Sequence, residues 1–165
     1  MGYKIHLKQI SKNHAVSREG FTLLELVVTM TILIMIGVFA IVAINPTDQI
    51  AKSRNAKRIS DINVILGAVG QNSSDNEGKF SCSSGTLPTS TSRMAVSGAG
   101  SYNIAPCLVS VYLEKLPYDP ATTSAHYTSV TDYDTGYTIS QSSTTGRITI
   151  SAPAAELGTS ISATR

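Results

Sequence analysis

Residues 21–44 read FTLLELVVTMTILIMIGVFAIVAI, and no other stretch limits what the chain can fold into as strongly. These 24 residues contain no Lys, Arg, Asp, His or Pro and a single carboxylate, Glu25. At about 1.5 Å per residue a helix of this length reaches roughly 36 Å, enough to cross a hydrocarbon core of about 30 Å with some tilt. A soluble core helix rarely needs an apolar surface on every side. The spacing therefore predicts a membrane helix, and Glu25 is its anomaly, because an ionised group deep in hydrocarbon costs about 2.5–3.5 kcal/mol on insertion scales. Such a group needs a partner. If the chain is cut between Gly20 and Phe21, the new α-ammonium lies one helical turn from Glu25 on the same face, and the pair can close within one chain or between neighbours.

Gly20 followed by Phe21-Thr22-Leu23-Leu24-Glu25, behind a basic leader, resembles the type III signal of type IV pilins and of the pseudopilins of type II secretion systems. The resemblance implies that a membrane prepilin peptidase cuts after Gly20, that Phe21 becomes an N-methylated terminus, and that Glu25 guides the subunit into a helical filament. The partners it implies are further copies of the chain, the peptidase, the membrane assembly machinery and, before assembly, the lipid bilayer.

Residues 1–20 form the expected leader, cytoplasmic and cleaved. They carry Lys4, Lys8, Lys12 and Arg18 against Glu19 and have no apolar stretch of their own. Positive charge beside the span orients the remainder outward. A conventional secretory signal has a shorter apolar core and a small-x-small cleavage site, and an uncleaved signal anchor leaves Glu25 and the Gly20–Phe21 junction unexplained. The expected location is a single pass through the cytoplasmic (inner) membrane with the head outside, then a periplasmic or extracellular filament. The whole chain has a formal charge of +2, so removing a leader of +3 leaves −1, and no basic field argues for a required nucleic-acid partner.

Residues 45–71 are read as an amphipathic continuation of the helix. Pro46 predicts a kink or short melted segment near Asn45; in the resembling family such a Pro lies nearer the middle of the span, so any melting is displaced toward the head here. Beyond it Ile59, Ile62, Leu66 and Val69 recur at helical spacing as an apolar seam, while Lys52, Arg54, Lys57, Arg58 and Asp61 stay polar. Two readings of the basic residues stand: a solvated helix face, or a patch for anionic headgroups or an acidic neighbour.

Residues 72–165 form the head. Gly, Ser and Thr dominate residues 71–100, predicting loop, and residues 107–116 predict a short helix or strand before Pro117. Residues 137–140 and 147–151 alternate as a β-hairpin, residues 127–133 offer a third strand, and the tail after Pro153 is expected to fray. The fold class is α+β, a long N-terminal helix packed on a small antiparallel sheet. Cys82 and Cys107, on the exported side, are candidates for one disulfide, with free thiols as the alternative.

Leu116-Pro117-Tyr118-Asp119-Pro120 and the later Tyr133-Asp134-Thr135-Gly136-Tyr137 resemble a region of the major pseudopilins. That resemblance implies a calcium site, for which Asp119, Asp132 and Asp134 offer hard oxygen ligands; the other reading is turn chemistry. The Trp-Gly that often follows Asp-Pro in that subgroup is replaced by Ala121-Thr122. Apart from calcium no cofactor is expected, and no enzyme: His126 is the sole histidine beyond the leader, and neither a phosphate-binding Gly loop nor paired catalytic carboxylates stand out. The expected function is that of a filament subunit. Alternatives are a pseudopilin driving protein export, a minor pilin binding DNA or a surface, or an anchored domain that does not assemble.

Overall fold

The computed structural model describes residues 20–165, and the expected leader therefore lies outside the described residues except for Gly20. The chain divides into two compact units that meet at residues 43 and 44. The first contains helix α1 (Leu23–Ile44), long and apolar enough to cross a membrane. Its side chains from Phe21 through Ile41 are all exposed, including Leu23, Ile34 and Phe39. None of the described residues covers them.

The helical ladder stops at Asn45, where φ is +45°. Pro46 cannot donate a backbone hydrogen bond, and its ring drives the preceding residue out of the right-handed helical region. Asn tolerates the left-handed conformation that results. Helix α2 (Pro46–Asp75) then starts with proline in its first position, where a missing N–H costs nothing. The expected break is present, as a single residue between two helices.

The second unit is α+β, with a mixed six-stranded sheet. Its strands are β1 (Ser92–Ala95), β2 (Ser101–Tyr102), β3 (His126–Ser129), β4 (Asp132–Gln141), β5 (Ile148–Ala152) and β6 (Ile161–Thr164), with the short helix α3 (Ala105–Leu108) after β2. The order is β2-β1-β4-β5-β6, with β3 paired to the first residues of β4. The expected all-antiparallel sheet is corrected in one place, since β1 and β2 run parallel. Strand β1 lies inside the stretch expected to be loop. Only four residues long, it is held by Met94, which is fully buried, and by pairing with β4.

The tail does not fray. Ile161 is buried and Ser162 exposed, so the segment alternates as a strand, and it pairs antiparallel with β5 from Thr149–Thr164 to Ala152–Ile161. A short alternation of small and β-branched residues carries little hydrophobic signal alone, yet it completes a sheet edge against an existing neighbour.

Helix α2 packs on β5, β6 and α3. Ile62, Ile65, Leu66 and Val69 enter a core shared with Met94, Ile104, Leu108, Tyr137, Ile139 and Ile150. Each such apolar side chain contributes about 1.5–3 kcal/mol on burial. The predicted seam is shifted: Ile59 is 49% exposed, and the buried stripe instead runs through Arg58, Ile62, Ile65 and Val69. Neighbouring residues differ by about 100° around a helix, so the same steps of three and four that bury Arg58 turn Ile59 outward. Cys82 and Cys107 are joined as a disulfide with Cα atoms 5.2 Å apart, tying the segment after α2 to α3. Closing a loop of this size contributes about 3 kcal/mol by restricting the unfolded chain.

Candidate functional site

Two places carry the residues that sequence reasoning singled out. The first is the start of α1. Gly20 and Phe21 precede the helix and are exposed, Phe21 at 83%, and a side chain added at Gly20 would meet no atom within 4 Å. Thr22 caps the helix: its Oγ1 accepts the Glu25 N–H at 3.2 Å, and its carbonyl accepts the Leu26 N–H at 3.1 Å. Thr22-Leu23-Leu24-Glu25 is thus a capping-box sequence, with the acid in the third helical position. Glu25 also lies in the first turn, where the partial positive charge of the helix N-terminus favours a carboxylate. This local role was legible in the Thr-x-x-Glu spacing and accompanies any role in assembly.

The second place is a buried charge network on α2. Arg58 is fully buried. Its Nε donates to Asp119 Oδ2 at 2.7 Å and its Nη2 to Asp119 Oδ1 at 3.2 Å, a two-pronged grip on one carboxylate. Its Nη1 donates to Glu156 Oε2 and to Asn55 Oδ1 at 2.7 and 2.8 Å. Arg54, one turn earlier, reaches Glu156 Oε1 at 3.2 Å. Asn55 locks the same turn by donating to the Glu156 carbonyl and accepting the Glu156 N–H. Three distant segments, α2, the loop at Asp119 and the turn before β6, therefore converge on one guanidinium.

The electrostatics follow from this geometry. Burial pushes the Asp119 carboxyl up, but the Arg58 hydrogen bonds, with N–H bonds from Ala121 and Thr122, outweigh it and hold the group below the usual carboxylate range. Hydrogen bonding from Arg58 and then Arg54 lowers Glu156. Arg58 itself is raised, chiefly by its bonds to Asp119, against the opposing effect of burial. Close by, the Tyr137 hydroxyl donates to Asp61 Oδ2 at 2.9 Å, and burial followed by this bond pushes the phenol up.

Neither expected reading of the basic residues holds for the group as a whole. Arg54 and Arg58 are engaged by Glu156 and Asp119, and Lys57 by Asp61 at 3.0 Å. Lys52 alone of the four has no ion-pair partner among the described residues.

The three carboxylates proposed as calcium ligands are not brought together. Asp119 faces Arg58; Asp134 accepts from Arg93 Nε at 2.6 Å and from the Gly136 N–H at 2.9 Å; Asp132 faces His126 at 3.1 Å. Among the described residues no cluster of three His, Cys, Asp or Glu side chains is placed to hold a metal ion. A guanidinium does for the Asp119 loop what a bound cation would otherwise do. Adding calcium or a chelator is accordingly expected to leave the thermal unfolding midpoint of the protein unchanged; a calcium-dependent rise would show that these acids rearrange to bind it.

Sequence reasoning missed Arg58, Glu156 and Thr22. The signal for Arg58 was its place among Ile62, Ile65 and Val69 on one helical face; Glu156 carried none, since it lies about 100 residues from its partner. Comparison with the profiles of known protein families, with curated proteins and with solved structures finds no match for this chain.

Proposed function

We propose that this chain is a type IV pilin-like subunit, processed between Gly20 and Phe21 and polymerised through α1. The observation that carries the reading is one carboxylate, Glu25, in the first turn of an otherwise charge-free helix, directly behind a Gly-Phe junction. The exposed state of α1 supports it. An apolar surface of this extent must be covered by lipid or by other helices, and the described residues supply neither.

In this reading the head waits outside the membrane while a prepilin peptidase removes residues 1–20. The new α-ammonium of Phe21 meets a Glu25 carboxylate, within one subunit or across two. Leu, Ile, Val and Met side chains of α1 then exchange lipid contacts for contacts with like helices. The hydrophobic contribution of that exchange is small, so packing and the charge pair decide which helices associate and in which register.

The test is the mass of the N-terminal peptide after coexpression with a prepilin peptidase. A peptide beginning at methylated Phe21 is the expected result; an intact leader beside an active peptidase would leave a membrane-anchored domain and remove the proposal. A second reading, a pseudopilin of a secretion machine, is favoured by residues 116–120, which resemble that subgroup and form a fixed loop around Asp119. Loss of protein export without loss of surface filaments on deleting the subunit would select it.

A further inference from the structure

His126, at the start of β3, lies between two acceptors. Its Nδ1 is 2.8 Å from the Ser124 carbonyl oxygen, which can only accept, so Nδ1 carries a proton. Its Nε2 is 3.1 Å from Asp132 Oδ1. A neutral ring protonated on Nδ1 would direct a lone pair at that carboxylate, whereas an imidazolium satisfies both contacts. The arrangement is complementary to the charged ring.

This ring ends a chain of contacts across three strands. Ser124 also accepts from Arg93 Nη2 through its hydroxyl at 2.8 Å, and Arg93, on β1, pairs with Asp134 on β4. The charged or titratable groups facing His126 are therefore Asp132 and Asp134 on β4, with Arg93 on β1 acting through Ser124 and Asp134.

Residues 120–125 are held at both ends by such networks, and the two ends differ. At one end Asp119 is buried against Arg58 and accepts the Ala121 and Thr122 N–H groups. Between the ends, the segment lies over Gly136, where an added side-chain carbon would come 3.0 Å from Asp119 Cβ and 3.3 Å from Ala125 Cβ; with φ +75° as well, any other residue there is strained. At the other end the clip is exposed, with His126 at 49% and Asp132 at 62%.

We propose that His126 is a proton-operated clip: the charged ring ties the Ser124 end of residues 120–125 to Asp132 at the start of β4, and the neutral ring, whose Nδ1–H still holds Ser124, lets go of Asp132 and loosens that end. The hydrogen bond to Ser124, then that to Asp132, raises the ring above its ordinary value, with burial opposing weakly. For a group raised on folding, the stabilisation is fully present below the unfolded value and is lost as pH rises through the folded one, so the clip opens on the alkaline side of ordinary histidine titration. Asp119 does not titrate in that window, because it is held below the carboxylate range, so the far end of the segment stays fastened.

The test is NMR on the full chain in detergent micelles. The His126 ring is identified by the signal lost in His126→Gln, and amide exchange, corrected for the intrinsic effect of pH, is followed for residues 121–129. The expected result is a His126 midpoint above that of an ordinary histidine, a fall toward the ordinary value in Asp132→Asn, and severalfold weaker amide protection above the midpoint. His126→Gln should abolish that pH step while the core amides of β4 and β5 remain protected. An ordinary or lowered midpoint, a midpoint that Asp132→Asn does not move, or protection that stays level across the titration would each overturn the proposal.

Discussion

Replacing Arg58 by alanine is expected to destabilise the head by about 3–5 kcal/mol, a large share of the 5–15 kcal/mol available to an ordinary domain. The substitution leaves Asp119 buried with two backbone donors and no counter-charge, and it removes one of the ties between α2 and the Glu156 turn, leaving those of Arg54 and Asn55. Arg58→Lys should not rescue it, because an ammonium cannot grip Asp119 with two parallel bonds and also reach Glu156 and Asn55. Combining Arg58→Met with Asp119→Asn should recover much of the loss. The Asn carbonyl oxygen still accepts the Ala121 and Thr122 N–H groups, and no unpaired charge remains at that position. Urea unfolding of the wild type, Arg58→Met, Asp119→Asn and the double variant gives the coupling energy directly. A single variant that unfolds at the wild-type midpoint would mean that water reaches this network and that the charges are not desolvated. The same network makes the head acid-sensitive. Asp119 and Glu156 are depressed on folding, so their contribution is present above ordinary carboxylate values and is lost as pH falls below them.

Substitution of Glu25 is expected to abolish or severely reduce filaments while leaving membrane insertion and processing intact. The structure adds a reason to choose the variants with care, because Glu25 also sits in the capping box opened by Thr22. Glu25→Ala and Glu25→Val remove both the charge and the side chain that a Thr-x-x-Glu capping box uses, while the Glu25 N–H still donates to Thr22 Oγ1. Glu25→Gln keeps a side chain suited to the capping box and removes only the charge. In the proposed pairing with the Phe21 α-ammonium, all three variants fail to assemble, Gln as completely as Ala. Filaments from the Gln variant alone, counted by electron microscopy at equal levels of processed subunit, would reduce Glu25 to a helix-start residue. The expected loss is large because the apolar helix has few other polar groups by which to register itself on a neighbour.

The head was read unevenly, and the reasons are local. Strands β4 and β5 announced themselves through alternating apolar and polar residues, Tyr137-Thr138-Ile139-Ser140 and Ile148-Thr149-Ile150-Ser151. Strands β1 and β6 did not, since Ser92-Arg93-Met94-Ala95 and Ile161-Ser162-Ala163-Thr164 offer one large apolar side chain each and become strands by pairing with a neighbour already in place. The two cysteines were legible as a pair, whereas their closure needed the chain path between α2 and α3. His126 passed as an isolated residue because its acceptors are a backbone carbonyl and an acid across a hairpin, and neither has a sequence signature.

What the sequence by itself determined is the start of α1 and the break after it. An apolar run on every face, a capping Thr, one acid in the first turn and an Asn-Pro stop are local properties, set by helix geometry, solvation and the missing N–H of proline. Tertiary structure alone decided the role of the charges in the head. Arg58 looks in sequence like one of four solvated cations, and Asp119 like a turn residue or a metal ligand. Only the folded chain brings positions 58, 119 and 156 within hydrogen-bonding distance in an interior where a lone charge is too costly to leave unpaired.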